Sequence, residues 1–237
     1  MSNSWFQFKQ FRIAQDACAM KVTTDACVQG AWTPVLPHVR QVLDIGTGTG
    51  LLSLMLAQRG AAMHIDAMEL DSAAVRQARE NVAVSPWKER ITVQEGDVCI
   101  YPFTHKYDLI ICNPPFFNNS LLSSKGQKNM ARHTLSLSQE GLLRVLADNL
   151  HEDGYASVLL PLPEYLLWQW LLRQNGWYEH GRLSVKHTDD AEVKRVVGLC
   201  GRKPVQHIKE EILVLKDDAG YTAAFSSLLS PFYLNLP

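Results

Sequence analysis

The stretch "DLIICNPPFF", Asp108 to Phe117, ends a hydrophobic run in an amide, two prolines and two aromatic rings. These residue types suit work on a nitrogen whose lone pair is delocalised. Asn113 offers a side-chain oxygen, and Pro114 offers a backbone carbonyl on a residue with no N–H of its own. Two acceptors aimed at the hydrogens of a planar amine or amide pull it toward tetrahedral geometry and free its lone pair. Pro114 and Pro115 each fix their own φ and restrict the residue before them, so the pair of acceptors is held stiffly. Phe116 is placed to stack on a planar group, worth about 1–3 kcal/mol when that group is a base.

A second set of residues suits a nucleoside bearing a cation. In "VLDIGTGTG", Gly46, Gly48 and Gly50 follow a hydrophobic pentapeptide, with Thr47 between them, and such a turn lets a ligand approach the backbone. A dinucleotide site prefers G-x-G-x-x-G, but Leu51 occupies the third glycine position and no lysine follows to hold a phosphate. Three acids complete the set. Glu69, next to Leu70, can accept from both hydroxyls of a ribose. Asp97, next to Val98, can accept from an adenine amine. Asp44 lies where a ligand's ammonium group would sit. S-adenosylmethionine carries a ribose, an adenine and a cation, and needs no pyrophosphate cradle.

The elements that must position these residues alternate between strand and helix. Strands are expected at 41–45, 64–70, 91–97, 107–112 and 155–161. Helices are expected at 51–59, after a cap at Asp71 or Ser72, from Ser136 or Ser138 to Leu150, and at 164–174. Ser136 and Gln139 are spaced as a capping box. The segments "RLSVK", "VKRVVGLCG" and "KEEILVLK" then read as strands that pair antiparallel. This order predicts an α/β fold: a doubly wound, mostly parallel sheet of seven or eight strands with antiparallel edge strands and helices on both faces. Ligands on such sheets bind beyond the carboxyl ends of the strands, where strand order reverses. The loops after Ile45, Leu70, Glu95 and Cys112 are therefore the ones that matter.

Composition narrows the setting. The 237 residues suit one domain: an N-terminal lead at 1–40, a core at 41–175 and a strand-rich end at 176–237. No apolar run is long enough to cross a bilayer, and "MSNSWFQFKQF" lacks the order of a signal peptide. Cys18, Cys27, Cys99, Cys112 and Cys200 are odd in number and show no C-x-x-C spacing, which favours reduced cytosolic thiols over disulfides or a metal site. The formal net charge of −1 advertises no polyanion partner, yet no acid occurs from Leu109 to Gln139, where Lys125, Lys128 and Arg132 stand. Arg202, Lys203 and Lys209 mark a second acid-free stretch.

The order "VLDIGTGTG", "MEL", "GDV", "NPPF" resembles the class I, Rossmann-like methyltransferases, in the branch that methylates amino groups. "FRIAQDACAMKVTTDACVQGAW" and "ARHTLSLSQEGLL" are similar to a bacterial tRNA methyltransferase family that modifies N6 of adenine 37, beside the anticodon of a valine tRNA. The resemblance implies S-adenosylmethionine as cofactor and the Rossmann-like methyltransferase fold. It also implies a lid over the cofactor formed by Lys21, Thr24 and Asp25, and RNA contacts by Arg132 and His133 alongside Lys125, Lys128, Arg202 and Lys203. Cytoplasmic location, a tRNA substrate and no metal go with it; the sequence leaves the oligomeric state open, with a monomer favoured. Thr23 stands where the family pattern has Gly, and Ala26-Cys27 replaces a Gly-Val-like pair. A protein N5-glutamine methyltransferase, a guanine-N2 rRNA enzyme and a non-catalytic binding partner remain open alternatives.

Overall fold

The computed structural model describes residues 3–18, 20–114 and 137–236. A short hairpin, β1 (Trp5–Gln7) and β2 (Arg12–Ala14), precedes helix α1 (Thr24–Trp32). The alternating core follows: β3 (Gln41–Ile45), α2 (Leu51–Arg59), β4 (His64–Glu69), α3 (Ser72–Ala83), β5 (Ile91–Glu95) and β6 (Tyr107–Cys112). Then come α4 (Gln139–Asn149), β7 (Leu150–Pro161), α5 (Leu162–Gln174), β8 (Tyr178–Lys186), β9 (Arg195–Gly201) and β10 (Lys209–Val214). A small hairpin, β11 (Lys216–Asp217) and β12 (Gly220–Tyr221), leads into α6 (Ala223–Leu229). Local chemistry sets several boundaries. Asp71 caps α3 by accepting from Ala74 N, and Ser138 caps α4 by accepting from Gly141 N. The other candidate cap, Ser136, lies outside the described residues.

Among the described residues the main sheet has eight strands, in the order β10-β8-β9-β7-β6-β3-β4-β5. The strands from β7 to β5 run parallel, and their inner residues are almost continuously apolar because helices cover both faces. Side chains alternate between two cores. Leu109 and Ile111 of β6 join the core under α1, α2 and α3, and Ile110 and Cys112 join the core under α4 and α5. The chain steps from β3 outward to β4 and β5, then returns to place β6 on the other side of β3. The reversal of strand order therefore falls between β3 and β6, and their last paired residues are Ile45 and Cys112.

Toward the other edge, the antiparallel character comes from one strand. β9 runs against both β7 and β8. The expectation that "KEEILVLK" also pairs antiparallel is corrected: β10 lies parallel to β8, with Lys209 opposite Gly181 and Val214 opposite Lys186. The reason is occupancy. β8 takes the place beside β9 that a hairpin partner would use, so the chain passes beneath β8 and rises on its far side. β7 also begins earlier than the pattern suggests, at Leu150 rather than Tyr155. No helix of the described residues is long and apolar enough to cross a membrane.

Candidate active site

Three left-handed glycines shape the loop after β3. Gly46, Gly48 and Gly50 have φ of 68°, 56° and 82°, which L side chains rarely adopt. The amides of Gly46 and Thr47 both donate to the Met68 carbonyl, at 2.9 and 3.0 Å, and so fold the turn over the end of β4. A Cβ built on Gly46 would meet no atom within 4 Å, so this backbone faces open space. Leu51, at the position a dinucleotide site would fill with glycine, is instead packed into the core.

The acids gather around this turn. Asp44 is fully buried, and its Oδ2 accepts from Thr47 Oγ1 and Ser53 Oγ, both at 2.6 Å, and from Ser53 N at 3.2 Å. Its Oδ1 is buried without a partner among the described residues. Burial pushes the Asp44 carboxyl up to about 6 against the pull of those hydrogen bonds, and the Glu69 charge adds to the rise. Glu69 reaches across the turn, where Oε2 accepts from Gly48 N at 2.9 Å and Oε1 accepts from Leu70 N and Asp71 N. The Gly96 amide donates to the Glu69 carbonyl, tying the third loop to the second. That loop exposes Asp97, whose Oδ1 accepts from Cys99 N, and packs Val98 against the core under α4 and α5. Leu70 stays 45% exposed at the mouth, an apolar surface beside an acid that suits the face of a purine ring.

Asn113 leaves β6 on the rung where β3 gives way to the glycine turn. Its Oδ1 is buried with no partner among the described residues, and its Nδ2 lies 3.9 Å from Met20 Sδ. Pro114 is buried beside it. Pro115, Phe116, Lys125, Lys128, Arg132 and His133 lie outside the described residues.

The N-terminal lead crosses this mouth. A Cβ on Gly48 would come within 3.6 Å of Cys18 Sγ. Two amides four residues apart on α3 hold the lead down: Gln77 accepts from Ala17 N, while Asn81 accepts from Ala14 N and donates to the carbonyls of Ala14 and Thr49. Both are buried, and with Met20 they are residues that motif reading misses. The available signal is the pair of amides on the same helix face as Ala74 and Ala78. Lys21 is exposed where the lead turns into α1. Thr23, the departure from the family pattern, serves as the helix cap by accepting from Ala26 N. Thr24 is exposed as the first residue of α1. Asp25 is half-buried and ion-paired with Arg195 at 3.5 Å; burial raises its carboxyl above the usual range, and Arg195 opposes the rise.

Arg202 and Lys203 are not brought to this mouth. β9 runs downward, so the residues after Gly201 emerge beside Tyr155 at the amino end of the parallel strands. There the Arg202 guanidinium lies 4.7 Å over the Trp177 ring, and Lys203 pairs with Asp153. Among the described residues no group of three or more His, Cys, Asp or Glu side chains could hold a metal ion.

The family model of the methyltransferase small domain matches residues 31–160. A tRNA1(Val) (adenine(37)-N6)-methyltransferase of Cytophaga hutchinsonii is 44% identical over all of this chain and all of its own. One of the same name from Tolumonas auensis is 43% identical over 100% of this chain and 99% of its own. Solved structures share the fold at low identity. An Agrobacterium tumefaciens protein described as a predicted O-methyltransferase superposes with a TM-score of 0.65 at 14% identity, covering 87% of this chain and 96% of its own. The glycopeptide N-methyltransferase MtfA, complexed with (S)-adenosyl-L-methionine, gives 0.56 at 12%, covering 79% and 98%.

Proposed function

The chain belongs to the methyltransferase small-domain family and, within it, to the tRNA1(Val) (adenine(37)-N6)-methyltransferases, and on that premise we propose how its residues carry out the reaction. It transfers a methyl group from S-adenosylmethionine to the exocyclic N6 of adenine 37 in tRNA1(Val). The observation that carries the proposed mechanism is the unpartnered Asn113 oxygen, held on the same sheet rung as the glycine turn.

The residues present fit the cofactor. Gly46, Thr47, Gly48 and Gly50 would receive its amino-acid portion against bare backbone, with Asp44 facing the ammonium group. Glu69 would accept from the ribose hydroxyls, Leu70 would cover the purine face, and Asp97 and Val98 would meet its edge. Lys21, Thr24 and Asp25 would close over the top. Bound S-adenosylmethionine supplies an electrophilic methyl group on a sulfonium.

Asn113 Oδ1 and the Pro114 carbonyl accept from the two N6 hydrogens, which turns the nitrogen lone pair toward the methyl group. Pro115 stiffens the turn, and Phe116 stacks on the adenine. Such positioning is worth about 7–11 kcal/mol of barrier when the reacting atoms are held near contact. The adenine must leave its stack, which costs a few kcal/mol and less in a loop than in a duplex. Lys125, Lys128, Arg132 and His133 form the proposed phosphate-facing rim. Reversing the three charges at Lys125, Lys128 and Arg132 should flatten the salt dependence of tRNA binding and leave cofactor affinity unchanged. The enzyme acts as a monomer in the cytoplasm, where its cysteines stay reduced.

The test is methylation of unmodified tRNA by the purified protein, followed by nucleoside analysis. N6-methyladenosine is the expected product. N2-methylguanosine, or transfer only to a protein glutamine, would sink the proposal.

A further inference from the structure

One fully buried polar side chain is used by neither the cofactor loops nor the clamp. Gln29 lies on α1 between Val28 and Gly30, in a helix whose inner face is otherwise apolar. Its Nε2 donates to the carbonyl of Cys112 at 3.0 Å and to the carbonyl of Ser157 at 3.1 Å, with Ser157 Oγ at 3.4 Å. Thr33 Oγ1, one turn further along, shares a 2.7 Å hydrogen bond with Ser157 Oγ. Cys112 is the last rung of β6, paired with Ile45 on one side and Val158 on the other. Asn113 is the next residue.

A buried carbonyl at the end of a ladder costs about 1–3 kcal/mol if left without a donor. Gln29 supplies that donor while its own Oε1 stays buried and unpartnered among the described residues. An apolar side chain would fill the same volume without an orphaned oxygen, so the amide has a use beyond filling space. The Cys112–Asn113 peptide is planar, so fixing its carbonyl also fixes the N–H of Asn113. Pro114 restricts the remaining rotation about Asn113.

We propose that Gln29 is a positioning residue that sets the departure angle of the catalytic turn through the Cys112 carbonyl. It aims Asn113 Oδ1 and the Pro114 carbonyl at the amine. The same helix begins with Thr24 and Asp25, so one rigid element seats both the lid and the clamp. This inference rests on the assignment of Asn113 to the amine.

Gln29→Met keeps the length of the side chain and removes the donor. Its kcat for tRNA methylation should fall by about 10- to 100-fold, in line with a misaimed acceptor. The S-adenosylmethionine affinity by calorimetry should stay close to wild type, and the melting temperature should fall only by the several degrees that an undonated buried carbonyl costs. Thr33→Val breaks only the outer link to Ser157 and should leave kcat near wild type. A Gln29→Met protein with wild-type kcat overturns the proposal. So does one that loses folding or cofactor affinity in step with rate, since Gln29 would then be merely structural. Asn113→Ala is measured alongside. If it is inactive while Gln29→Met is fully active, only this inference fails; if it too is active, the reading of Asn113 fails.

Discussion

The two ends of the sheet treat polar groups in opposite ways. At the amino end near β8, they saturate one another. Glu179 accepts from Tyr165 Oη at 2.5 Å, from Gln169 Nε2 at 2.9 Å and from Arg182 at 3.2 Å, and Arg182 reaches on to Glu210 at 2.7 Å. Burial and the Glu179 charge together push the Tyr165 hydroxyl well above its ordinary range, so it stays a donor. At the carboxyl end, between β3 and β6, two acceptors are left over: Asp44 Oδ1 and Asn113 Oδ1 are both buried without partners among the described residues. Buried polar groups are normally paired; Gln58, Gln139 and Glu164 also carry an unpartnered oxygen, but Asp44 and Asn113 stand at the crevice where strand order reverses, which is where a ligand would use them. In the proposed reading the saturated end serves stability and the unsaturated end serves chemistry.

Clamp aside, the largest expected effect comes from Glu69. It already ties the glycine turn to β4, and in the proposed site it accepts from the ribose as well. Glu69→Ala should weaken S-adenosylmethionine binding by about 10- to 100-fold, as expected for lost hydrogen bonds to a charged group. Calorimetry with the cofactor and with its demethylated product checks this. Tighter binding of NAD than of S-adenosylmethionine would break the contrast between the two ends.

Asp44 sharpens it, because the same group should oppose folding and favour the ligand. Its folded value of about 6 lies above the ordinary 3.8. Its contribution to stability is therefore fully present below the ordinary value and is lost as pH rises through about 6. Asp44→Asn should raise the apo stability at pH 8 by about 1–3 kcal/mol, with the gain fading as pH falls below 6. Melting curves across pH test the sign. The same variant should bind S-adenosylmethionine about tenfold more weakly, having lost the partner of its ammonium group.

In methyl transfer the saturated end should respond least. Arg182→Met leaves the nearly buried Glu179 carboxylate with two donors, so the loss should be about 1–3 kcal/mol by denaturant titration. Methyl transfer should not change. A large loss of activity there would end the division of labour.

Most of the candidate site was legible because its motifs are local. A glycine turn, strand-end acids and Asn-Pro-Pro each sit within a few residues, and the alternation of elements puts them at one sheet end. What stayed hidden depends on partners far along the chain. Gln77 and Asn81 gain their meaning from Ala17 and Ala14, which lie 60 and 67 residues earlier in the chain. Arg202 and Lys203 read as a basic stretch like any other, and only the downward course of β9 sends them to the far end. The parallel pairing of β10 is hidden for the same reason, since strand direction follows from which slots in the sheet are already filled.

The central claim is that the unpaired Asn113 oxygen acts on the amine and not on the cofactor. Single-turnover methylation of unmodified tRNA by Asn113→Ala, with cofactor saturation verified by calorimetry, tests it most directly. Loss of one positioned hydrogen-bonding group at a reacting centre is worth about 2.7–4 kcal/mol, by analogy with oxyanion donors. The account predicts a rate at least about a hundredfold below wild type, with S-adenosylmethionine affinity and melting temperature retained. A rate within a few-fold of wild type, or a loss traced wholly to weaker cofactor binding, would contradict it.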